Sequence, residues 1–281
     1  MNDPEAFDPV PPINSVLGRL LIVAGSDSGG GAGIQADIKT ATMFGTYAMT
    51  AVTAITVQNT LGVLDVLPLD PSLIVAQMRA VLDDIGADVV KTGMLHSTAV
   101  IEAVAAELDA RDSLLLVVDP VMVAKGGAAL LQTDAIQALR NFLVPQATIL
   151  TPNMPEAEAL IGRPVRTLED QKRAGDALIG LGPQAVLVKG GHGEDGDQVH
   201  DVLVTAESIE VMSSPRIDSD HTHGTGCTLA SAIAALLAQG APTRDAVSIA
   251  RDYVHDAIRT APGFGKGHGP LNHMHPFQAL D

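Results

Sequence analysis

Tryptophan is absent from this 281-residue chain, and aromatic residues make up only 2% of it. A core must then be filled with Ala, Val, Leu and Ile, and the 46% hydrophobic content is enough for a sizeable one. Basic residues are also scarce: 17 Lys and Arg stand against 33 Asp and Glu, a formal charge of −16. With no basic stripe and no stacking rings, nucleic acid is excluded as a partner. The same charge argues against an anionic membrane surface. A phosphate ligand is still open to such a chain, through backbone amides, a few lysines and a metal ion. The single cysteine rules out an intrachain disulfide and suits a reducing cytosol. No apolar run reaches membrane-spanning length, and residues 1–15 lack the basic and apolar regions of a signal peptide. The expectation is a soluble, cytoplasmic protein.

Two nucleotide signatures are missing as well. No Gly-x4-Gly-Lys-Ser/Thr loop occurs. Gly191-His-Gly193-Glu-Asp-Gly196 has the spelling of a dinucleotide fingerprint, but the segment after it reads as a strand, not the required helix. The pairs His221/His223 and His273/His275 have no Cys or carboxylate partner nearby, so a zinc site is weakly supported.

What is present alternates. Residues 1–16 hold four prolines and three acids and read as a disordered extension, leaving 17–281 as one domain. Continuous apolar runs at 20–24, 48–57, 88–91, 114–118, 148–150 and 185–189 read as buried strands, with a shorter strand at 63–67. Helical stretches fall at 34–45, 71–85, 97–110, 133–143, 155–161, 167–181, 226–239 and 243–261, and a hairpin at 199–205 and 208–212. No repeat or linker interrupts them. The pattern predicts a three-layer α/β/α sandwich with a mainly parallel central sheet.

The chemistry gathers at the strand ends. Polar or glycine-rich loops at 25–33, 58–60, 92–96, 119–127, 151–156 and 190–193 carry Gln58, Asp119, Lys125, Asn153 and Glu156, with Asp37, Lys91 and Lys189 beside them. In open parallel sheets ligands bind at that edge. Asp119 and Glu156 suit an oxygen-ligated Mg²⁺, or else they cap helices. The stretch His221-Thr-His-Gly-Thr-Gly-Cys-Thr-Leu229 predicts a tight turn opening onto a helix N-terminus. Such an end presents unpaired N–H groups and partial positive charge to an anion. It would also lower the pKa of Cys227, although a free Cys is commonly a small buried hydrophobe.

Gly25-Ser-Asp-Ser-Gly-Gly-Gly-Ala-Gly-Ile-Gln-Ala-Asp37, Gln58-Asn-Thr60, Lys91-Thr-Gly-Met94, Asp119-Pro-Val-Met-Val-Ala-Lys125, Thr151-Pro-Asn-Met-Pro-Glu156, Lys189-Gly-Gly-His192, His223-Gly-Thr-Gly-Cys-Thr-Leu229 and Gly265-Lys-Gly-His-Gly-Pro270 follow one order. In that order and spacing the chain resembles the bacterial hydroxymethylpyrimidine/phosphomethylpyrimidine kinases of the ribokinase-like superfamily, over about residues 19–277. The resemblance implies ATP-dependent phosphorylation of 4-amino-5-hydroxymethyl-2-methylpyrimidine, then of its monophosphate, in thiamine synthesis. It implies that Gly25, Asp37, Gln58, Met94 and Val121 line the pyrimidine pocket. Asp119 and Glu156 would hold Mg²⁺, while Asn153, Lys189, Thr222 and Gly226 would lie at the nucleotide. Gly224, Gly226 and Cys227 would form the anion hole, with Cys227 as the thiolate base of the first step and Lys189 spreading charge. Lys266 would help hold the monophosphate. The first loop departs slightly, reading Ser28-Gly29 where the family often has Pro-Ser. A homodimer is implied too. Pyridoxal kinase of the same subgroup is the alternative, and a non-catalytic pyrimidine sensor the alternative outside enzymes.

Overall fold

The computed structural model describes residues 18–111, 113–124, 127, 130–132, 134–193 and 196–277. The expected extension at 1–16 and Lys125 lie outside them. Nine strands form one sheet: β1 (Arg19–Asp27), β2 (Tyr47–Asn59), β3 (Gly62–Pro68), β4 (Val89–Thr92), β5 (Leu115–Val118), β6 (Ile149–Leu150), β7 (Ala185–Val188), β8 (Gln198–Thr205) and β9 (Ile209–Pro215). Their order is β3-β2-β1-β4-β5-β6-β7-β8-β9. The six strands from β2 to β7 run parallel, and β3, β8 and β9 are antiparallel additions at the two edges.

Among the described residues, eight α-helices cover the sheet: α1 (Gly33–Met43), α2 (Pro71–Leu82), α3 (Thr98–Asp109), α4 (Ala135–Ala138), α5 (Met154–Ile161), α6 (Leu168–Ile179), α7 (Thr225–Ala238) and α8 (Thr243–Arg259). The two faces of β1 show why its run is continuously apolar. Leu21 and Val23 pack with Ile74 of α2, Ile101 of α3, Leu160 of α5 and Leu178 of α6. Leu20, Ile22 and Ala24 pack with Ala41 of α1, Ile233 of α7 and Val247 of α8. A strand buried on both faces has no polar side to alternate with. This is the expected three-layer architecture.

Most helix boundaries follow local chemistry. Asp70 caps α2 by accepting from the Ser72 N–H, with Pro71 in its first turn, and Ser97 caps α3 through the Val100 N–H. The expected helix at 133–143 is different. Only Ala135–Ala138 is α-helical. A π-helical turn follows at Leu139–Leu143 and a 3₁₀ turn at Val144–Gln146. Pro145 has no N–H for a helical ladder, so the chain leaves the α form as it approaches it.

Candidate active site

The C-terminal ends of the parallel strands meet the N-terminus of α7. Gly224, its N-cap, has φ 84°. A Cβ there would sit 1.8 Å from the Gly31 carbonyl oxygen, so backbone from the first loop presses on the turn and only glycine fits. Gly226 lies one residue into the helix. A Cβ on it would stand 3.2 Å from Lys189 Nζ and 3.8 Å from Asp119 Oδ2. The turn, the lysine and the carboxylate therefore converge on one point.

Lys189 follows β7, and its Nζ is 3.1 Å from Asp119 Oδ1 and 4.0 Å from Glu156 Oε2. Burial alone would lower its pKa, but the charges of Asp119 and Glu156 outweigh that and hold it above the ordinary lysine value. Glu156 is buried as well, and burial pushes its carboxyl up to about 7 against the pull of Lys189. It also closes a capping box at the start of α5. Glu156 Oε2 accepts from the Asn153 N–H at 2.8 Å, and Asn153 Oδ1 accepts from the Glu156 N–H at 2.9 Å. Glu156 thus caps a helix and at the same time faces the lysine.

Asp119 Oδ2 is buried and, among the described residues, has no hydrogen-bond partner. An orphaned carboxylate oxygen is costly unless something else satisfies it. Its position beside a second carboxylate, Glu156, fits a hard cation. Among the described residues no cluster of three or more His, Cys, Asp or Glu side chains is arranged to hold a metal. Two carboxylates alone suit Mg²⁺, which keeps several waters or phosphate oxygens as ligands.

Gly25 and Met94 are neighbours: a Cβ on Gly25 would lie 3.3 Å from Met94 Sδ. Val121 lines a narrow apolar gap with Gly93, Pro120 and Leu139. Gln58, at the end of β2, is half-buried and lies 3.3 Å from His223 on the turn before α7. Thr222 accepts from Thr225 Oγ1 through its carbonyl and stands at the approach to the helix. A wide surface hollow between Gln137, Arg140, Asn141, Pro145, Gly180 and Leu181 contains none of these residues.

Two expectations need correction. Asp37 is fully buried, with Lys91 Nζ 3.0 Å from both of its oxygens and Ser231 Oγ donating to Oδ1 at 2.7 Å. Committed to Lys91 and Ser231 and fully buried, it braces the pocket from behind and presents no exposed oxygen to a ligand. The helix end was expected to lower the Cys227 pKa, but burial dominates and pushes the thiol up to about 12, against the opposing charge of Lys91. In this state Cys227 carries its proton. Lys91 itself is fully buried; burial alone would discharge it, but Asp37 keeps it protonated.

The sequence reading assigned no role to Asp27, nor any to His223 beyond the motif. Asp27 is 2% exposed. It accepts from the N–H groups of Gly29, Gly31 and Ala32 and pairs with His223 at 2.8 Å. Burial alone would raise its pKa, but His223 and those N–H groups hold it below the usual carboxylate value. The tail closes the site from outside. Gly269 accepts from the His223 N–H, and Thr60 Oγ1 takes the N–H groups of Lys266 and Gly267.

Residues 27–272 match the family model for phosphomethylpyrimidine kinase. The chain is 44% identical over 256 residues to the hydroxymethylpyrimidine/phosphomethylpyrimidine kinase of Bacillus subtilis, covering 91% of this chain and 94% of that protein. It is 51% identical over 257 residues to a bifunctional thiamine biosynthesis protein of Geobacter sulfurreducens. That match takes in 92% of this chain but 52% of the relative, so the chain spans about half its length. The fold superposes on a pyridoxal kinase from Staphylococcus aureus in complex with pyridoxal, with a TM-score of 0.87, 34% identity and coverage of 95% and 97%. The same enzyme has been solved with ADP and with AMP-PCP. The chain belongs to the phosphomethylpyrimidine kinase family and is a phosphotransferase of ribokinase-like fold.

Proposed function

We propose that the chain uses ATP to phosphorylate 4-amino-5-hydroxymethyl-2-methylpyrimidine and then its monophosphate; relatives that it matches along most of their length are named hydroxymethylpyrimidine/phosphomethylpyrimidine kinases. The observation that carries this reading is the convergence of Lys189, Asp119 and Gly226 at the N-terminus of α7. Backbone N–H groups of Gly224, Gly226 and Cys227 would bind phosphoryl oxygens in transit, where charge develops. Lys189 neutralises that charge. Asn153 and Thr222 flank the nucleotide. Asp119 and Glu156 would hold Mg²⁺, which supplies charge neutralisation between the phosphates when bound.

Gly25, Gln58, Met94 and Val121 form the pyrimidine pocket, with Asp37 behind them. Cys227 contacts the hydroxyl as a thiol. The hydroxyl proton passes to an oxygen of the transferring phosphoryl group as the O–P bond forms and the bond to ADP breaks, since a loose transition state asks little of a base. The protein works as a cytoplasmic homodimer. One cysteine suits that compartment, and the apolar outer hairpin suits a partner copy.

The test is a coupled ADP-release assay with the pyrimidine alcohol and with its monophosphate, product masses confirmed. Turnover of both supports the reading, and turnover of neither sinks it. The likeness to a pyridoxal kinase favours one second reading. It predicts a higher kcat/KM on pyridoxal than on the pyrimidine alcohol.

A further inference from the structure

Gln58 lies between two groups whose hydrogens are already committed. On one side is His223. Asp27 Oδ2 accepts from the N–H groups of Gly31 at 3.1 Å and Ala32 at 2.8 Å, and it lies 2.8 Å from His223 Nε2. A buried oxygen that already takes two backbone hydrogens stays ionised and has none to give. His223 therefore carries its hydrogen on Nε2 and donates it to Asp27. Gln58 Nε2 faces that same ring nitrogen at 3.3 Å, so a donor meets a donor.

On the other side is Thr56. Its single hydroxyl hydrogen goes to the Ser26 carbonyl at 2.8 Å. Gln58 Oε1 faces the Thr56 oxygen at 3.2 Å, so an acceptor meets an acceptor. Both mismatches vanish together if the amide makes a half-turn about its last bond. Its NH₂ then donates to Thr56 Oγ1, and its carbonyl takes a second branch of the His223 Nε2–H bond.

We propose that Gln58 is held in this turned orientation by the Asp27–His223 pair on one side and the Thr56–Ser26 bond on the other. The flanking groups use the outer N–H and the outer lone pair of the amide. What remains for the pocket is one N–H and one lone pair, in a fixed order. That order accepts a ring nitrogen beside an exocyclic amine. It rejects the isosteric oxo-pyrimidine, whose ring N–H and carbonyl reverse both positions. His223, Asp27 and Thr56 are positioning residues for this selection. The selectivity rests on Gln58 reading the pyrimidine as proposed above; the orientation of the amide does not.

The orientation is tested on the wild-type protein, without substrate, carrying ¹⁵N in its glutamine side chains. Gln58 is assigned by the signal lost in Gln58→Glu. Nuclear Overhauser contacts from its NH₂ to the Thr56 methyl are expected, and contacts to the His223 ring protons instead would overturn the proposal. Kinetics then test the consequence. Thr56→Val keeps the shape and removes the acceptor. It should raise KM for the aminopyrimidine about tenfold, the size of one lost hydrogen bond, with a smaller change in kcat. It should also narrow the amino-over-oxo ratio of kcat/KM, as should His223→Gln. An unchanged ratio in both variants overturns the selectivity. Absence of turnover on either pyrimidine, beside the expected Thr56 contacts, would sink the substrate reading and leave the amide orientation supported.

Discussion

At Cys227 two influences oppose each other. The first turn of α7 favours a thiolate, and burial beside Asp37 and Asp119 disfavours it. Burial wins, placing the thiol near 12, so a thiolate is scarce at neutral pH. Three consequences can be measured. Alkylation by iodoacetamide should be slow at pH 7 and still rising at pH 9. Cys227→Ala should slow the first phosphorylation about tenfold, the size of one lost hydrogen bond to the hydroxyl. The second phosphorylation, whose acceptor is already ionised, should change less than about threefold. An alkylation curve that levels off below pH 8, or equal losses in both steps, would contradict this account. The motif told where the cysteine stands, because a Gly-x-Gly turn before an apolar helix is a local signal. Its protonation was not legible, because Lys91, Asp37 and Asp119 reach it from three other segments.

The elements divide along the same line between local and distant causes. Strand ends were legible, and so was a capping role for Glu156, which the structure completes as a box with Asn153. The Asp37–Lys91–Ser231 cluster was not. It joins α1, β4 and α7 across 54 and 194 residues of chain, and no local pattern encodes which carboxylate is buried. The break in the expected 133–143 helix lies between these cases, since Pro145 sits in plain sight but its effect reaches back into a π turn. The turn before α7 is the element where geometry leaves least room. Gly224 has a positive φ, and a Cβ would collide with the Gly31 carbonyl. Gly224→Ala should therefore push the first loop away from the helix end. Both phosphorylations should fall by a similar factor, about a hundredfold or more, as for an anion site whose donors are displaced. Selective loss of one step, or near-normal turnover, would show that the turn is not the shared phosphoryl site.

On the scale of the whole molecule, two regions look outward from the site. One is the β2–β3 hairpin at the sheet edge. Leu61, Leu64 and Leu67 are 68%, 71% and 64% exposed there, and Ile55 and Val57 are exposed too. Clustered apolar residues on a long edge hairpin favour association. Sedimentation of the wild type should give twice the monomer mass, and Leu64→Asp with Leu67→Asp should return it to one. A wild-type monomer at micromolar concentration would refute the dimer.

The other region is the tail, which returns from α8 to lie over α7. His273 is its anchor. It is 5% exposed, its Nε2 is 3.0 Å from Thr228 Oγ1, and its carbonyl accepts from Tyr253 Oη. Burial, with Lys39 and His275 adding to it, lowers its pKa to about 4 from 6.5. The native state therefore binds this proton more weakly than the unfolded chain does. Stability from the neutral ring is complete above pH 6.5 and is lost as the pH falls from there through 4. At about 1.4 kcal/mol per pKa unit the loss is roughly 3 kcal/mol. Thermal unfolding should be followed from pH 8 to pH 4 in the wild type and in His273→Asn. The wild-type midpoint should drop more steeply below pH 6.5, so that the two curves converge. Curves that stay parallel over that range would mean that His273 is not the group that ties the tail to pH. Because the same tail presents Gly269 to His223, KM for the pyrimidine in the wild type should stay level down to about pH 5 and rise only as the pH approaches 4, where the folded protein itself takes up this proton.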